Sequence, residues 1–245
     1  MLIGLVMGMV GGGGAVLAVP ALVYAVGLGV HEATTVSLAV VGAAAATGAV
    51  GQHRRGAVCW SSAGWLSAAA AVGGVAGAFA NRAVGGATLL LIFSVVMVMA
   101  ARATWQRASA TAAVPQGCPE AAPLALITAG AGIGFLTGLV GVGGGFVIVP
   151  ALVIGLSFGM REAMATSMAV VAMVSATGLL AHLATGSGLD VPITLAMGAT
   201  AVIGALAGPR LADHVPTRLL GRSFAVLVVL VAVGVAIATL AGVGV

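Results

Sequence analysis

Long apolar stretches follow one another along this chain, parted by short polar punctuation and interrupted by few charges. Runs of roughly 20 apolar residues are the pattern of membrane-crossing helices, and a barrel would instead show short alternating segments. The pattern predicts helices over 2–28 (broken at 11–14), 33–51, 57–80, 84–105, 124–158 (broken at 141–145), 162–184, 190–210 and 219–242. The stretch Gln106–Pro123 holds Pro115, Gly117, Pro119 and Pro123, the composition of an exposed connection. It divides the chain into a first transmembrane repeat, 1–105, a cytoplasmic linker, 106–123, and a second transmembrane repeat, 124–245.

The halves repeat one another. Gly11-Gly12-Gly13-Gly14 leads to Pro20-Ala21-Leu22-Val23, and Gly141-Val142-Gly143-Gly144-Gly145 leads to Pro150-Ala151-Leu152-Val153. Gly4 and Gly8 fall on Gly134 and Gly138, Glu32-Ala33 on Glu162-Ala163, Ser37 on Ser167 and Thr47-Gly48 on Thr177-Gly178. Over Gly11–Val50 against Gly141–Leu180 there are 18 identities in 40 positions without a gap. Coincident Pro, Glu, Ser and Thr are harder to obtain by chance than coincident Ala or Val. A duplicated apolar chain broken by glycine at equivalent places is the pattern of a transporter built from two repeats.

Loop charge bears on how the halves insert. If every segment simply crossed, the nine arginines would divide four against five; if the second broken segment alone folds back, or both do, they divide eight against one, with only Arg82 outside, and the likeness of the repeats favours both. Cytoplasmic loops collect Arg and Lys, so the bias favours folding back. Repeat-equivalent loops also alternate in charge, as expected of inverted halves. The predicted fold class is therefore an all-α polytopic membrane protein of two inverted-topology repeats, each a glycine-broken helical hairpin followed by three transmembrane helices. Trp60, Trp65 and Trp105 fall near the Arg-rich loops, where interfacial aromatics belong.

Composition narrows the function classes. With 61% hydrophobic and 6% charged residues and a mean hydropathy of +1.25, a soluble domain is excluded. The net charge of +4 comes from scattered arginines, without the one-sided concentration a nucleic-acid partner requires. Cys59 and Cys118 form neither a CxxC pair nor a metal spacing, so each reads as a small apolar residue. Met1–Val10 lacks the basic start of a cleavable signal, and the first repeat is about a turn or two shorter at its start than the second. Catalytic triads, paired carboxylates and metal clusters are missing from the sequence pattern, so the expectation is a non-enzyme without cofactor or metal.

The glycine breaks carry the candidate chemistry. An interrupted helix in hydrocarbon exposes backbone groups that protein, water or ligand must satisfy. Two breaks meeting near the midplane would gather helix N-termini around one spot and favour an anion. That reading assigns substrate contacts to Gly12, Gly13, Gly14 and Ala15, and to Gly143, Gly144, Gly145 and Phe146 in the second copy. Pro20 and Pro150 are expected to kink the returning arms. Thr35, Ser37, Thr166 and Ser167 open the following helices, where a hydroxyl can cap the helix or bind a ligand. Glu32, Glu162, Arg82 and Arg210 are candidates for coupling or steering, with dipole stabilisation or anchoring of helix ends as the simpler role. For Gly4, Gly8, Gly134 and Gly138 the four-residue spacing fits close helix packing.

These residues resemble the TauE/SafE family of sulfite and organosulfonate exporters. The second half carries its pattern, Gly141–Pro150, Glu162-Ala163-Met164-Ala165-Thr166-Ser167 and Gly188-Leu189-Asp190, and the first half repeats it more loosely. The departures are Ala15 where the other copy has Gly145, Cys59-Trp60 where it has Leu189-Asp190, and the short N-terminus. The resemblance implies a multi-pass protein of the bacterial inner membrane that exports a small sulfur-containing anion. Its partners would be that anion and the bilayer, with a homo-oligomer also compatible. An anion channel of the same architecture is the alternative.

Overall fold

The computed structural model describes residues 2–11, 18, 22, 30–81, 86–109, 117–119, 122–140, 145–184, 190–212 and 215–240. Among them the only regular structure is helical. Helices α1 (Leu2–Val10), α2 (Val30–His53), α3 (Trp60–Asn81) and α4 (Gly86–Ser109) belong to the first half. Helices α5 (Pro123–Val140), α6 (Gly145–Pro150), α7 (Met160–Ala184), α8 (Val191–Ala212) and α9 (Thr217–Leu240) belong to the second. Within α2, α7 and α8, the stretches Thr35–His53, Met160–Leu180 and Val191–Gly208 are long and apolar enough to cross a membrane. Apolar character runs round these helices instead of forming one stripe, which suits elements packed on one side and lipid-facing on the other.

The pairing of helices follows the repeat. Helix α1 packs on α8 and its counterpart α5 on α3; α2 packs on its own counterpart α7, and α4 on its counterpart α9. Glycines make the first two contacts intimate. A Cβ on Gly134 would strike the Ala70 carbonyl, and one on Gly138 the Gly74 carbonyl. Gly4 stands in the same relation to Ala201, and Gly8 lies against Gly208. In lipid, where apolar burial adds little, such backbone approach is what holds helices together. The packing role expected for these four glycines is what the structure shows.

The order of contacts gives directions. Leu66, Ala70 and Gly74 meet Gly130, Gly134 and Gly138 in step, so α3 and α5 run parallel. Gly48 meets Met168 and Gly178 meets Leu38, so α2 and α7 run antiparallel. These last two contacts are the same contact seen from each half, because Gly48 corresponds to Gly178 and Leu38 to Met168.

Hydrogen bonds fix one end of the bundle. Cys59, which precedes α3, donates its N–H to Thr166 Oγ1 in α7 at 3.2 Å. Gly117, just before α5, donates to Glu162 Oε1 at 3.5 Å. The starts of α3, α5 and α7 thus lie together, and the chain leaving this end along α5 returns to it before α7. On the way back, α6 passes Pro150 into a π-helical stretch, Ala151–Gly155. Ser157 then turns the chain with φ 56°, an uncommon backbone for a side-chain-bearing residue. The fully buried Phe158 donates its N–H to the Leu152 carbonyl at 3.0 Å, closing the turn.

Ala18 and Leu22 of the first half share the core with residues of the α2–α7 pair and with Ile148, Val149, Leu152 and Val153 of the second half. Leu22 and Leu152 are repeat-equivalent, both completely buried and both π-helical.

One expectation fails outright. Cys59 and Cys118 are not spare apolar residues but a disulfide, with Cα atoms 5.6 Å apart. They stand 59 positions apart in sequence.

Candidate functional site

Gly11 ends α1 with φ 78°, the left-handed conformation in which glycine terminates helices. It is buried, and a Cβ there would lie 2.8 Å from both the Met164 carbonyl oxygen and Ser167 Oγ. Backbone conformation and space therefore both require glycine. The first glycine of the first break is thus seated against α7 of the other half.

Around Gly11 the side chains are small and polar. Thr166 and Ser167 are completely buried. Ser167 Oγ donates to the Met164 carbonyl at 2.8 Å, and Thr166 Oγ1 accepts from Cys59 N–H. A hydroxyl that accepts one bond keeps its own proton for donation, so Thr166 can present a donor to an anion. Neither residue caps a helix. Helix α7 begins at Met160, and Gly159 accepts its first bond, from Ala163 N–H at 2.8 Å. Thr35 and Ser37 are likewise buried and lie in the second turn of α2, which begins at Val30. The capping role open to these four residues is thereby removed.

The two hydroxyl pairs do not converge. Because α2 and α7 run antiparallel, Thr35 and Ser37 lie toward one end of the pair, and Thr166 and Ser167 toward the other. Gly11 lies beside Ser167, at the Cys59 end, whereas α5 is still running away from that end at Gly138, where it meets Gly74. Gly74 is about four turns, ~21 Å, along α3 from Trp60. The expected meeting of the two breaks near the midplane falls on residues 12–17 and 141–144, outside the described residues.

The remaining candidates are placed as follows. Gly145 begins α6 and is buried, as is Pro150. Gly12, Gly13, Gly14, Ala15, Pro20, Arg82, Gly143 and Gly144 lie outside the described residues, as do the side chains of Glu32 and Phe146. Glu162 stands in the first turn of α7, where its carboxylate folds back over Gly159 and meets the positive end of the helix. That position suits dipole stabilisation. Arg210 is exposed in the last turn of α8 and donates to the Leu206 carbonyl at 3.4 Å, as an anchor of a helix end does.

Two features escaped the sequence reading. The Ser67 hydroxyl in α3 is buried with no hydrogen-bond partner, a state costing about 1–3 kcal/mol. Its one signal was a serine inside the apolar stretch of that helix. The other is the disulfide. Among the described residues no three or more His, Cys, Asp or Glu gather to hold a metal.

Comparison with known proteins gives the family. The model of the sulfite exporter TauE/SafE family matches residues 1–235. The chain belongs to this family. It is 31% identical to a probable membrane transporter protein of Xylella fastidiosa, found in strains Temecula1 and 9a5c, over 95% of this chain and 90% of that protein. A probable membrane transporter protein YunE of Bacillus subtilis is 43% identical over 54 residues, 22% of this chain and 20% of its own. No solved structure matches. Family and apolar helices together make this TauE/SafE chain a membrane protein of a transporter family.

Proposed function

We propose that this protein is a secondary transporter that exports a small sulfur-containing anion, sulfite or an organosulfonate, across the bacterial inner membrane by alternating access. The two repeats are inserted with opposite orientation, and each glycine-broken segment folds back as a hairpin. The observation that carries this reading is the seating of Gly11 from one repeat against Met164 and Ser167 of the other. A contact between a helix break and buried hydroxyls across the repeat boundary is one that relative motion of the repeats would open and close. The antiparallel α2–α7 pair supports inversion, since equivalent helices then cross in opposite senses. Selection for an anion comes from hydroxyl and backbone donors, and the membrane potential drives anions outward.

Efflux from proteoliposomes loaded with sulfite tests the proposal. Saturable efflux with counterflow is expected, and about tenfold slower flux for Ser167→Ala, the loss of roughly 1.4 kcal/mol of interaction. Gly13→Leu or Gly143→Leu should abolish flux while the protein still inserts. Full flux in well-inserted Ser167→Ala and Gly143→Leu proteins would remove the site. Flux that neither saturates nor shows counterflow would identify a channel instead.

A further inference from the structure

We propose that Cys59–Cys118 is a redox-operated strap that seats the linker across the junction of α3 and α7, beside the Gly11–Ser167 region. The bond joins two unlike positions. Cys59 is 4% exposed and serves as the N-cap of α3, its carbonyl accepting from Ala63 N–H at 2.9 Å. Cys118 is exposed, in a linker segment whose neighbour Gly117 donates to Glu162 at the start of α7. The disulfide therefore holds the linker where it bridges two helix starts. Cys59 N–H is at the same time bonded to Thr166.

The positions also dictate how the bond opens. A thiolate from a cellular dithiol reaches the exposed Cys118 sulfur and forms a mixed disulfide there. Cys59 leaves as a thiolate, stabilised by the N-terminal field of α3, and takes up a proton. The second thiol of the reductant then attacks the mixed disulfide. Cys118 is released as a thiol, and the reductant departs as its own disulfide. Two protein thiols are gained for one reductant dithiol oxidised.

The setting makes the bond conditional. Arg54 and Arg55 are exposed in the turn that precedes Cys59, and Arg161 is exposed in the first turn of α7. This is the Arg-rich end that the proposed topology, on which this inference rests, puts in the cytoplasm. Thiols there are kept reduced, so the strap closes under oxidation and opens when reducing conditions return. Closure would pin Gly117 and Cys118 at the starts of α3 and α7; opening would free them.

The test uses the full chain in two measurements. In cells trapped with a thiol-blocking reagent, both cysteines should be free in unstressed growth and bonded after an oxidant pulse. In purified protein, amide hydrogen exchange over 59–66 and 160–167 should quicken about tenfold on reduction. Cys118→Ser protein should match the reduced wild type and ignore reductant, with unchanged thermal stability showing that it is folded. A bond standing fully oxidised in unstressed cells, or exchange indifferent to reduction, would overturn the strap. Neither readout involves sulfite, so failure of the proposed substrate leaves this test standing.

Discussion

Gly132 and Gly134 are two residues apart in α5, and their surroundings could hardly differ more. A Cβ on Gly134 would strike the backbone of Ala70, which cannot move aside as a flexible side chain could; a Cβ on Gly132 meets nothing within 4 Å. Gly134→Ala should therefore force α3 and α5 apart and cost about 1–3 kcal/mol. Gly132→Ala removes backbone freedom without a clash and should be neutral or stabilising by up to ~1 kcal/mol. Thermal melts of the detergent-purified variants decide the matter. Equal melting temperatures would show that close approach at Gly134 does not support the α3–α5 contact. The paired measurement also separates packing from propensity, because both variants make the same chemical change in the same helix.

Helix starts show which parts of an element the sequence discloses. Asp190 caps α8: its Oδ1 accepts from Ile193 N–H at 3.0 Å, and its carbonyl accepts from Thr194 Oγ1 at 2.6 Å. Asp190→Ala should lower stability by about 1 kcal/mol, with Asp190→Asn retaining most of it, read from the shift of the unfolding midpoint. A melt unchanged in Asp190→Ala would assign the start of α8 to packing alone. The apolar lengths placed the crossing helices within a few residues of where they stand, since hydropathy and length suffice to mark them. Thr166 and Ser167 were harder to place. The sequence put the helix start beside them, but Gly159 and Glu162 together begin α7 at Met160 and move both hydroxyls into the second turn. The direction in which α2 crosses α7 was not legible either, because long-range pairing leaves no local signature. The disulfide belongs to the same class, because its two cysteines are joined by the path of the linker and not by any spacing rule.

At the scale of the whole molecule, the pairings of α1 with α8, α3 with α5, α2 with α7 and α4 with α9 map onto themselves when the halves are exchanged. An exchange of that kind, combined with the antiparallel α2–α7 contact, is the pattern that the proposed inversion of the halves requires. The arginines then make an independent statement. Arg222 stacks over Trp105 at 5.3 Å, joining the start of α9 to the end of α4, while Arg54, Arg55 and Arg161 surround the Cys59 end. Loop charge and aromatic anchors gathered toward one end are what orient a helical bundle in a bilayer. Single cysteines introduced at Ala112 and at Gly186, in a background with Cys59 and Cys118 changed to serine, should therefore react with a membrane-impermeant maleimide from opposite sides. Position 112 should label only in inverted vesicles and position 186 in intact spheroplasts. Labelling of both from the periplasmic side would refute inversion. Labelling of position 112 alone from that side would turn the molecule over, place Cys59–Cys118 in an oxidising compartment, and make the bond a permanent staple.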